Sequence, residues 1–235
     1  MGFIINPYRF TVAEFDPSTV SGLVAWYDVN DSATITKSAD RVSQWNDKSS
    51  EGNNLIQTTG ADQPLWVNAV QNGKPIIRFD GVSEYMTDLI TNTYTQPDTL
   101  FMVCSSPPTD AGQAHAFFDG DSQRQLFNDV TTGGYRAYAG LGGVTGGTRQ
   151  TTVKLFRLKF NGASSSLHIN GSSILSGDAG TNSLEGIQIG GSTHFAVPAG
   201  GFANFDVCEI LYYDENITGT DLTSIESYLT TKWGL

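Results

Sequence analysis

The chain has 235 residues, with 13 lysines and arginines against 24 aspartates and glutamates, a formal charge of −11. Such a balance argues against a nucleic-acid partner, because phosphate grooves need clustered basic side chains. Only 16% of the residues are charged, 39% are hydrophobic and 26 are glycine. That composition points to many short strands joined by tight turns, not to long charged helices.

Residues 1–15 are expected to form an N-terminal arm. Phe3, Ile5, Tyr8 and Phe10 are apolar or aromatic, and Pro7 prevents a continuous helix. An arm of this kind must bury itself, on its own domain or on a neighbouring subunit. These four residues are the candidates for subunit docking. Met1–Ile5 lacks a basic region followed by a long apolar core, so no signal peptide is expected. No run approaches the roughly 20 apolar residues of a membrane span, so no membrane insertion is expected.

Strand signals begin after Ser21. GLVAWYDV reads as a buried strand, and RVSQWNDKS alternates, with Val42 and Trp45 as core. IIRFDGVSEYM places Asp80-Gly81 between apolar runs, a pair suited to a tight hairpin in which Asp80 accepts backbone hydrogen bonds. TLFMVC is a continuous apolar run, as in a strand covered on both faces. KLFRLKF puts Phe156, Leu158 and Phe160 on one face and Arg157 and Lys159 on the other. In LHINGSSIL, Asn170-Gly171 is a type I′ turn pair. Cys104 and Cys208 sit in apolar runs without a C-x-x-C motif. Two buried thiols are the simplest reading, with a disulfide between neighbouring strands as the alternative.

Residues 218–235 change character. Thr218 and Asp221 have capping-box spacing, and Leu222, Ile225, Leu229 and Trp233 form one apolar helical stripe. Lys232 favours the last turn, and Gly234 ends the helix. Strands with turns between them and one terminal helix imply an all-β sandwich or jelly roll over residues 16–235.

LVAWYDV, VSQWNDKS, KPIIRFDGVSEY, LHING, IQIG and ILYYDENITGTDLTSIESYLTTKWGL, in that order, resemble the concanavalin A-like, laminin-G-like jelly rolls. The version they are most similar to is common in bacterial surface proteins and tailed-phage structural proteins, and the opening INPYRF looks like the start of phage structural proteins. This resemblance implies two antiparallel sheets and an adhesive or structural role. It places the chain in a phage virion, in the extracellular medium, as a capsid decoration or tail-associated protein. Other virion subunits, further copies of the chain in a homo-oligomer and host-surface glycans are the implied partners. The implied alternative is a carbohydrate-binding module of a bacterial surface protein, and a glycoside hydrolase is a more distant one.

The chain is not expected to be an enzyme. Glycosidases need two carboxylates about 5–9.5 Å apart. Glu14-Phe15-Asp16-Pro17-Ser18-Thr19 lacks the final glutamate of the related E-x-D-x-x-E pattern and carries a proline poorly tolerated in a sheet. His115, His168 and His194 are isolated in sequence, and there is no nucleophile elbow or phosphate loop. Calcium is the one metal the spacing allows, on Asp119 and Asp121. Tyr135, Arg136, Tyr138, His194 and Phe195 lie in polar or glycine-rich stretches, where an aromatic ring is free to stack on a sugar. They are the candidate glycan-binding residues.

Overall fold

The computed structural model describes residues 15–105, 114–120, 125–130, 133–140, 143–192 and 201–235, and of 89–91 the backbone alone. The expected arm residues Phe3, Ile5, Tyr8 and Phe10 lie outside this set, as do Asp121, His194 and Phe195. Seventeen strands and one α-helix are described. In the first half they are β1 (Leu23–Asp28), β2 (Ile35–Ser38), β3 (Arg41–Trp45), β4 (Leu55–Ile56), β5 (Leu65–Gln71), β6 (Lys74–Asp80), β7 (Met86–Tyr94) and β8 (Asp98–Cys104). Then come β9 (Ala116–Asp119), β10 (Leu126–Asp129), β11 (Tyr135–Tyr138), β12 (Val144–Gly146), β13 (Lys154–Phe160), β14 (Ser165–Ile169) and β15 (Ser172–Gly177). β16 (Leu184–Ile189), β17 (Asn204–Tyr213) and helix α1 (Gly219–Trp233) complete the chain.

All the described pairings are antiparallel. One run is β15–β14–β13–β8–β17. The far side of β17 pairs with β6 along Asn204–Val207 and with β1 along Glu209–Tyr213. The other run is β12–β11–β10–β9–β16–β7. β7 continues through β4, β3 and β5 to β6, so the two runs join into one nearly closed 17-stranded sheet.

β8 is buried at every position, and β13 and β17 pair with its two edges. β13 alternates as its sequence requires, with Phe156, Leu158 and Phe160 buried and Arg157 and Lys159 half-buried. Rings from both runs interlock: Phe117 stands 5.3 Å from Phe205, and Phe118 stacks on Tyr212 at 6.1 Å. Cys104 and Cys208 are buried free thiols, which burial pushes above the ordinary thiol range.

The turns follow their chemistry. Asn170 and Gly171 both take positive φ, 46° and 77°, as a type I′ pair must. Asp80 accepts the N–H groups of Val82, Ser83 and Glu84 at 2.8, 3.1 and 3.2 Å. The expected hairpin is corrected, however. β6 pairs with β5 and β17, not with the following β7, so Phe-Asp-Gly is a corner at which the chain changes ladder. Gly81 has φ 73°, and a Cβ there would lie 2.9 Å from the Asn204 nitrogen. Asp47 organises a second corner by accepting the N–H groups of Trp26 and Ser49 at 2.8 Å and of Asn53 at 3.0 Å.

Helix α1 buries Ile225, Leu229 and Trp233 and ends at Gly234 in the left-handed region, as expected. The capping box does not form, since Thr218 makes no side-chain cap bond. What fixes the helix is Glu209, a fully buried carboxylate in β17. Trp26 Nε1 (2.9 Å), Tyr228 Oη (2.8 Å), Trp233 Nε1 (2.7 Å) and Lys232 Nζ (2.8 Å) all donate to it. Lys232 also reaches Asp28 Oδ2 at 2.9 Å. Removing one side of a buried ion pair leaves the other uncompensated. Glu209→Ala is therefore expected to cost about 3–5 kcal/mol in urea unfolding. Arg78→Ala, which breaks the half-exposed pair with Asp206, should cost at most about 1 kcal/mol.

Candidate functional site

Directly opposed residues in an antiparallel ladder share a face. In β11, β10, β9, β16 and β7 the register therefore sorts two sets. Phe127, Ala137, Phe118, Ile189 and Met86 are opposed across successive ladders and face the core. Arg136 opposes Asn128, Tyr138 opposes Leu126, Asp119 opposes Gln188, and Gln188 opposes Thr87. The second set makes a mostly polar outer face crossing five strands.

This floor is internally bonded. Arg136 Nε donates to Asn128 Oδ1 at 3.2 Å, and Ser192 Oγ donates to Asp119 Oδ2. Asp119, Asn128, Gln188 and Ser192 are buried, whereas Arg136 and Tyr138 are half-buried. At one end the Arg136 guanidinium lies 5.4 Å from the Tyr138 ring centroid. At the other end Tyr85, one residue before β7, stands 6.2 Å from Phe202, and both are half-buried. Gly191 lets this pair sit close, because a Cβ there would lie 3.0 Å from Phe202 and 3.4 Å from Tyr85.

Of the expected sugar-contacting residues, Arg136 and Tyr138 are thus neighbours on one accessible margin. Tyr135 is a correction. Alternation turns it to the core face, where it is fully buried, 5.2 Å from Phe156 and 5.8 Å from Phe127, and its hydroxyl accepts the Gln150 N–H. Asp119 is not an exposed rim ligand for calcium either. It is fully buried and accepts Gly120 N–H at 3.0 Å. Among the described residues no three His, Cys, Asp or Glu side chains converge as a metal site. Tyr85 and Phe202 were not singled out by sequence, although Tyr85 closes the KPIIRFDGVSEY stretch.

His115 is isolated in sequence but not in space. Its Nδ1 lies 3.0 Å from Asp129 Oδ2, and Arg149 meets the same oxygen at 2.9 Å. All three side chains are buried, so the cluster ties β10 to its flanking segments.

No protein-family model and no curated protein sequence matches the chain. Solved structures do match. A Trypanosoma rangeli sialidase in complex with sialic acid superposes with a TM-score of 0.62 at 12% identity, over 91% of this chain and 33% of that one. Domain 4 of AbnA, a GH43 extracellular arabinanase from Geobacillus stearothermophilus, in complex with arabinotriose, superposes with a TM-score of 0.57 at 10% identity. That match covers 88% of this chain and 97% of the other. At such identities the likeness is one of fold, and the chain spans about a third of the sialidase it matches.

Asp98 and Asp88, two carboxyl groups shifted upward, lie off the polar face. Burial pushes Asp98 up to about 7, against opposing hydrogen bonds from Gln125 and Tyr212. Gln125 Nε2 donates to its Oδ2 at 2.5 Å, and Oδ1 is buried without a partner. Burial, then the nearby Asp47, raises Asp88 to about 6. A carboxyl that keeps its proton in the fold loses relative stability as the unfolded chain ionises. Between pH about 4 and 7 stability should therefore fall as pH rises, then level off above 7. Thermal unfolding across this range should show that slope, and Asp98→Asn should flatten it.

Proposed function

We propose that this chain is a non-catalytic carbohydrate-binding protein with a concanavalin A-like jelly roll, its two strand runs packed face to face as two antiparallel sheets. The observation that carries the reading is the polar floor ending in two accessible aromatic groups, Arg136 on Tyr138 and Tyr85 with Phe202. Five adjacent strands span about 19 Å, room for more than one sugar ring. Rings at the ends would stack on apolar sugar faces, and the half-buried Arg136 and Thr87 side chains would meet hydroxyl groups, above a floor of buried polar residues. The fold shared with an arabinanase domain in complex with arabinotriose supports this reading.

The non-catalytic assignment rests on the carboxylates. Among the described residues, Glu209 and Asp28 are both bonded to Lys232, and Asp28 and Asp31 both meet Lys48. Asp214 and Glu215 are chain neighbours beyond β17, not two arms of a cleft. A phage virion is our preferred setting, on the strength of the sequence motifs, with residues Phe3, Ile5, Tyr8 and Phe10 docking on other virion subunits or on further copies of the chain. The nearly complete coverage of the arabinanase domain favours a second setting, as a binding module of a larger surface protein.

A glycan array should give hits that Tyr138→Ala and Tyr85→Ala each weaken by about tenfold. An array without hits, or hits indifferent to both variants, would overturn the assignment. Deleting residues 2–12 should leave a folded domain of unchanged circular dichroism that elutes as a smaller species. Unfolding on deletion would instead assign the arm to the core.

A further inference from the structure

A second feature lies away from the polar face, where the edges of the nearly closed sheet meet. β12 pairs only with β11, and β15 only with β14, among the described residues. The two edges approach each other at Gly146 and Gly147. A Cβ on Gly147 would lie 2.3 Å from Ile174 Cγ2, so only glycine permits this approach. Beside the junction is a cleft of about 430 Å³, lined by Thr148, Gln150, Lys154, Asn170, Ser173 and Ile174, with Gly147 and Ile169 completing it. Its volume falls within the range of small-molecule sites.

The walls are held in place. Gln150 donates its backbone N–H to Tyr135 Oη at 2.7 Å and its Nε2 to Thr148 O at 2.9 Å. Asn170 Oδ1 accepts Leu155 N–H at 2.9 Å. On a chain of formal charge −11, Lys48, Lys232, Arg41, Arg78, Arg149 and Arg157 each meet a carboxylate. Lys74, Lys154 and Lys159 meet none among the described residues, and of these three it is Lys154, half-buried, that lines the cleft.

We infer that this cleft is a second ligand site, for a carboxylate-bearing sugar. Lys154 supplies the counter-charge for the carboxylate, and a charge-assisted contact of this kind is among the stronger ones a shallow site can make. Ser173 and Thr148 hydroxyls and the Gln150 and Asn170 amides suit sugar hydroxyls. Ile174 and Ile169 suit the apolar face of the ring. A neutral sugar would leave the ammonium unanswered, and a bare anion would leave the polar walls and the isoleucines unused.

Titration of the ¹⁵N-labelled protein with glucuronate, glucose and acetate in low salt tests this. Glucuronate should shift the amides of Thr148, Gln150, Ser173 and Ile174 saturably, about tenfold more tightly than either glucose or acetate. Lys154→Gln should abolish the preference for glucuronate over glucose without lowering the melting temperature. Tyr138→Ala should leave these shifts intact, which separates this site from the polar face. The inference fails if glucuronate produces no saturable shifts there, if acetate binds as well, or if Lys154→Gln binds unchanged.

Discussion

The architecture depends on one buried carboxylate. Glu209 sits in the middle of an apolar strand, fully enclosed, and collects two indole N–H groups, a phenol and an ammonium. Burial alone would push its carboxyl upward, and the Lys232 and Trp233 hydrogen bonds work against that. Because the donors come from β1 and from α1, the same oxygen atoms fix where the helix lies and how the first strand joins the last. An apolar residue at 209 would leave the two indole N–H groups and the Lys232 ammonium without their acceptor. Lys48 extends the network outward, its ammonium 4.1 Å from the Trp26 ring and 2.9 Å from Asp31.

What could be read from sequence was whatever is local. The alternation of β13, the Asn170-Gly171 turn and the apolar stripe of α1 depend on neighbours within a few residues, and each is found where it was expected. The Glu209 network was not legible, because Trp26 lies 183 residues away and a lone acid in an apolar strand names no partner. Asp80 was half legible. Its backbone hydrogen bonds follow from Asp-Gly chemistry, but the choice of ladder for the next strand is a long-range matter.

The same division explains the candidate site. Arg136 and Tyr138 were selected for their glycine-rich surroundings, and alternation along β11 leaves them half-buried on the outer face. Tyr135 was selected by the same criterion and is one residue out of phase, so the period of two sends it to the core. Asp119 and Asp121 have the spacing of calcium ligands, yet Asp119 ends β9 and is enclosed beside Ser192. Phe202 carries no local signal, since it becomes notable only through its approach to Tyr85.

The pairing of β1 with β17 bears on synthesis. Leu23–Asp28 find their only strand partner among the described residues at Glu209–Tyr213, so the first strand waits while nearly the whole chain is made. Its buried run Val24–Asp28 stays without that partner throughout, an aggregation hazard for a chain emerging residue by residue. Contacts of such long sequence separation also make for slow folding. Closure of the domain is therefore a late event, completed when the strand bearing Glu209 arrives with the helix that shares its carboxylate.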